Sequence, residues 1–111
     1  MARLEEIVLE AEGIGKKWVE ANQIARRLRE LVKPRLYQIA TEISKTAKKS
    51  ISETALTRMA YASSDYEEFI TSVTVAECTA QKLKIEYDAL QNLFEAMRSE
   101  YSLEKAKMKM L

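Results

Sequence analysis

The sequence predicts an all-α fold: a long antiparallel coiled-coil helical hairpin with a short connecting helix, oligomerising into a helical bundle. Two observations carry that expectation. Large apolar residues recur every three then four positions in the last third of the chain, at Tyr66, Phe69, Val73, Ala76, Ala80, Leu83, Tyr87, Leu90, Phe94, Met97 and Tyr101, which is the seam of one continuous helix. The first half carries its own heptad at Leu4, Ile7, Ala11, Ile14, Trp18, Ala21, Ala25, Leu28 and Val32, continued after a phase shift by Leu36, Ile39, Ile43 and Ala47. Composition agrees, since 111 residues with 32% charged, 47% hydrophobic, 2 Gly and 1 Pro suit a small, nearly all-helical domain.

The first predicted helix covers about residues 2–49 and is kinked or broken at Pro34, because a proline inside a helix removes one backbone hydrogen bond and crowds the preceding turn. Gly13 and Gly15 flank Ile14 on this helix and mark either a fraying point or a close backbone approach. Ser50 and Ser64 each stand three residues before a glutamate, Glu53 and Glu67, the spacing of a capping box. They bound a connector at about 50–63 that holds a short helix, and the second long helix follows at about 64–111. The whole of 1–111 is then a single helical-hairpin domain, with long limbs of roughly 70 Å at about 1.5 Å per residue.

Matched limbs joined by a short connector fold back antiparallel. The register this predicts brings Ala11 near Tyr101, Ala25 near Tyr87 and Tyr37 near Ala76, so that large side chains meet small ones. It also lays Glu5, Glu6, Glu10 and Glu12 beside Lys105, Lys107 and Lys109, and the basic stretch from Arg26 to Lys49 beside Glu67, Glu68, Glu77, Glu86 and Asp88. Leu31, Val75, Cys78 and Ile85 fall outside the seam and are the expected oligomer interface, with a homo-oligomer or an unidentified protein as partner.

Chemistry of the enzymatic kind finds little support. The chain has no histidine and one cysteine, which removes the commonest general base and most transition-metal ligand sets. Glu67 with Glu68, or Glu86 with Asp88, are conceivable ligands of a hard cation, but solvated helix faces account for them better. The sequence therefore predicts no catalytic residue, no cofactor and no metal. A formal net charge of +1 argues against a generally basic nucleic-acid binder. Yet the stretch Lys16 to Lys49 holds ten lysines and arginines against three glutamates, and Arg26, Arg27, Lys33, Lys48 and Lys49 form a stripe able to follow a phosphate backbone. A lone cysteine, and the absence of any apolar run of membrane-spanning length, point to a cytoplasmic protein with no membrane partner.

The stretch Leu90 to Ala106, with its Ala96-Met97-Arg98-Ser99 ending, and the Ser-x-x-Tyr-x-x-Phe-like helix start within Ala62 to Phe69 together resemble uncharacterised small helical coiled-coil proteins of phages and prophages. The likeness covers roughly the last half of the chain. It implies a mobile-element accessory protein from a replication or recombination gene neighbourhood and carries no activity over to particular residues. The expected function is a non-enzymatic protein-interaction or assembly module; the alternative is a DNA-binding accessory factor for replication or recombination, using the basic stripe.

Overall fold

The computed structural model describes residues 2–110, which form four α-helices and, among the described residues, no strand. They are α1 (Ala2–Glu30), α2 (Val32–Thr46), α3 (Glu53–Tyr61) and α4 (Ser64–Met110). The fold is all-α, with the helix pairing of a helical hairpin. Two compact units divide the chain: Met1–Ala21 with Thr79–Leu111, and Asn22–Cys78.

The helix predicted over about 2–49 is two helices, and the interruption falls at Leu31 rather than at Pro34. Proline has no N–H to offer the carbonyl four residues before it, so the helical bond lost is the one to Glu30, and the disturbance lies on the N-terminal side of Pro34. It is small. Leu31 keeps a right-handed helical backbone (φ −85°, ψ −2°), its N–H is shared between the carbonyls of Arg27 (3.2 Å) and Leu28 (3.1 Å), and its own carbonyl accepts from Arg35 at 2.9 Å.

The predicted connector also differs. Helix α2 ends at Thr46, where Ala47 turns extended (φ −73°, ψ 136°), and the caps that start the next helices are Ser52 and Ser63, not Ser50 and Ser64. The Ser52 side chain accepts from the Ala55 N–H at 3.2 Å. The Ser63 hydroxyl accepts from the Tyr66 N–H at 3.2 Å while donating to the Ala60 carbonyl at 2.6 Å. Starting at Ser52 leaves Glu53 in the first turn, where the helix dipole favours an acid. It also places Ile51 and Leu56, both half-buried, at the spacing of a hydrophobic staple. Helix α3, Glu53–Tyr61, is the short connecting helix that the sequence predicts, and it packs on α2.

In the unit Asn22–Cys78 the core is Ala25, Ile39, Ala60 and Val73, with Ile39 and Val73 the largest side chains fully enclosed. Tyr61 and Tyr66 meet edge to face across the α3–α4 junction, ring centroids 5.1 Å apart. In the unit of Met1–Ala21 and Thr79–Leu111, Ile7, Ala11 and Ala80 are buried, and Ile7 and Ala11 share a groove with Gln91 and Phe94. The chain directions there are opposed, since Gly15 and Trp18, further along α1, meet Tyr87, earlier on α4.

That contact corrects the predicted register. Tyr87 lies over Gly15 and stacks on Trp18 (centroids 6.1 Å, planes 23° apart), about two to three helical turns from the place beside Ala25 that matched limbs implied. Large still meets small, with Gly15 taking the part expected of an alanine. Tyr101, assigned to the seam, is 49% exposed, and Tyr37, expected near Ala76, is 76% exposed. Gly13 has nothing within 4 Å of a Cβ position.

Candidate interaction surfaces

Every side chain picked out from the sequence as a contact residue is exposed: Arg26, Arg27, Leu31, Lys33, Lys48, Lys49, Val75, Cys78 and Ile85. Heptad phase explains this, because each lies off the buried positions of its helix. In the unit Asn22–Cys78, Arg26, Arg27 and Leu31 share a shallow surface with Gln23 and Glu30. Lys33 stands beyond the Leu31 interruption in the first turn of α2. Lys48 and Lys49 belong to no helix at all, so the helical stripe expected to include them stops at α2, whose hydrogen bonding closes with the Ala47 N–H on the Ile43 carbonyl at 3.0 Å. Val75 and Cys78 lie one turn apart on α4, and Ile85, 60% exposed, belongs to the other unit.

The expected neutralisation of the basic stretch is confined to one pair. Arg29 holds Glu77 with two hydrogen bonds, Nη2 to Oε1 at 2.5 Å and Nε to Oε2 at 3.2 Å. That bidentate bond lowers the Glu77 carboxyl below its ordinary value, against the opposing effect of desolvation, and raises Arg29. The other cations of the unit pair with no acid among the described residues; Arg35 donates to Gln38 at 3.0 Å. In the other unit no ion pair joins Glu5, Glu6, Glu10 or Glu12 to Lys105, Lys107 or Lys109 among the described residues, and residues 101–110 are exposed throughout. Charge pairing at an exposed surface contributes about 0–1 kcal/mol, too little to hold a register against packing.

A feature not legible in the sequence is a groove of about 470 Å³ between α2 and α3, lined by Lys33, Leu36, Tyr37, Thr41, Glu53 and Leu56 among others. Its threonines turn their hydroxyls onto their own helices, Thr41 to the Tyr37 carbonyl at 2.9 Å and Thr57 to the Glu53 carbonyl at 3.0 Å. The one sequence signal was Tyr37, an aromatic next to the seam residue Leu36 and out of its phase.

Among the described residues no group of three or more histidine, cysteine, aspartate or glutamate side chains is placed to hold a metal ion, and no helix is long and apolar enough to cross a membrane. Fold and surface together define an all-helical protein with a narrow seam core and outward-facing apolar and basic side chains. Compared with family models, with curated proteins and with solved structures, the chain matches none.

Proposed function

We propose that this protein is a non-enzymatic interaction and assembly module, an accessory protein of a phage or prophage acting in the cytoplasm as a self-associated helical bundle. The observation that carries the reading is the thinness of the core beside what lies outside it. The buried side chains of the described residues are Ile7, Ala11, Ala25, Ile39, Ala60, Val73 and Ala80, four of them alanines, while Leu9, Ile24, Val75 and Ile85 are each more than half exposed. Covering a large aliphatic side chain is worth about 1.5–3 kcal/mol, so association has a ready driving force. Sedimentation at micromolar concentration should give a defined oligomer; a stable monomer at every concentration overturns the proposal.

A second reading has an observation of its own. Arg26, Arg27 and Lys33 are exposed and pair with no acid among the described residues, which leaves them available to phosphates in the manner of a DNA-binding accessory factor for replication or recombination. Replacing all three by glutamine then flattens the dependence of log affinity on log salt by about two to three units, at roughly 0.9 per phosphate contact. Absence of DNA retention by the unaltered protein near 50 mM salt, a low-salt condition, rejects it.

A further inference from the structure

We propose that self-association seats the ridge of Ile24, Arg27 and Leu31, at the C-terminal end of α1 and its junction with α2, in one copy against the acidic first turns of α4, Glu67, Glu68, Thr71 and Val75, in a second copy. This rests on the assembly reading above and names its surface. The charge distribution points there. Residues 22–49 carry eight lysines and arginines against two glutamates, whereas residues 64–78 carry four acids and no base. Both segments belong to one compact unit, yet the Arg29–Glu77 bond is the one ion pair formed between them among the described residues. Each copy thus displays two surfaces of opposite sign whose charges, Arg29 and Glu77 apart, form no ion pair with each other among the described residues. A second copy related by a two-fold axis satisfies both at once, its α4 covering the first copy's α1 and its α1 covering the first copy's α4.

The uncharged part of the two surfaces fits the same arrangement. Ile24 of α1 and Leu31 at the junction with α2, 57% and 42% exposed, are seven residues apart, and because Leu31 keeps a helical backbone they lie on one stripe, with Arg27 a turn from each. On α4 the matching stripe runs from Glu68 through Thr71 and Ser72 to Val75. There the Thr71 hydroxyl donates to the Glu67 carbonyl at 2.8 Å and the Ser72 hydroxyl to the Glu68 carbonyl at 3.1 Å. Hydroxyls satisfied on their own helix bring no unpaired donor into an interface, and Thr71 offers its methyl group instead. Nucleic acid suits the α1 ridge less well, because a phosphate backbone leaves Ile24 and Leu31 in water and meets Glu30, which shares the surface with Arg26 and Arg27.

A charge exchange between two full-length chains tests the arrangement. One chain carries Arg26→Glu with Arg27→Glu, the other Glu67→Lys with Glu68→Lys. Alone, each should show a dissociation constant raised by about tenfold or more with its helix content unchanged; mixed in equal amounts they should recover wild-type assembly, because both contacts of the mixed pair again join opposite charges. The milder Arg26→Gln with Arg27→Gln chain, which introduces no repulsion, should weaken association in the same direction. If either exchanged chain assembles as the wild type does, or if the mixture fails to recover, the docking is wrong although the assembly reading stands. A monomeric wild type removes both. Retention of duplex DNA that Arg26→Glu with Arg27→Glu abolishes, while assembly is unaffected, assigns the basic surface to nucleic acid and overturns the proposal.

Discussion

Replacing Gly15 with alanine sets two effects of similar size against each other. Alanine is better than glycine in a helix interior by about 1 kcal/mol, and Gly13, where a Cβ meets nothing within 4 Å, should yield that gain in full. At Gly15 the added Cβ comes 3.1 Å from Tyr87 Cε2 and 3.4 Å from Cδ2, so the ring must retreat by a few tenths of an ångström. Tyr87 is half-buried and stacked on Trp18, and retreat loosens an aromatic pair worth about 0.5–1.5 kcal/mol. The two effects nearly cancel. We expect Gly13→Ala to raise the melting temperature by about 4–8 °C and Gly15→Ala to trail it by about 1 kcal/mol, followed by Trp18 fluorescence at a fixed protein concentration. In a Tyr87→Ala background Gly15→Ala should regain the whole helix-propensity benefit, which isolates the contact as a pairwise energy. Equal stabilisation by the two alanines in the otherwise unaltered chain refutes the placement of Tyr87 over Gly15, and with it the register of that unit.

The same register can be read covalently: in a Cys78→Ser background, Leu4→Cys with Met97→Cys should oxidise within one chain, one turn outward from the groove shared by Ile7, Ala11, Gln91 and Phe94. Leu4→Cys with Met108→Cys should not, and the reverse outcome restores the matched-limb register. Ile39, 1% exposed, should lose about 2–5 kcal/mol as alanine, whereas Tyr37→Ala should stay within about 0.5 kcal/mol by thermal or denaturant unfolding; a comparable loss at Tyr37 contradicts its outward position. The Arg29 bond lowers the folded-state carboxyl of Glu77, so its stabilisation is complete above the unfolded carboxylate value and is lost as pH falls through the lowered one. The wild type should therefore lose more melting temperature than Glu77→Gln between neutral and strongly acidic pH, and parallel curves would show that the pair stabilises nothing.

Periodicity made the helices and the inward face of each legible in the sequence, because it is a local property: the positions from Leu4 to Ala47 and from Tyr66 to Met97 that were assigned to the seam are buried or half-buried. It equally placed Cys78 and the apolar residues off the seam on the outside. Register lay beyond its reach, since a heptad pattern slid by seven residues still presents apolar to apolar, and exposed charges are too weak to choose between the slides. In the unit of Met1–Ala21 and Thr79–Leu111 tertiary packing chose, through the Tyr87 ring lying on the bare backbone of Gly15. The basic stretch shows the same division. Sequence counted its charges, but only the three-dimensional arrangement determined that Arg29 finds an acid and that Lys48 and Lys49 leave the helix, because a charge acts over the distance to its neighbour in space and not along the chain.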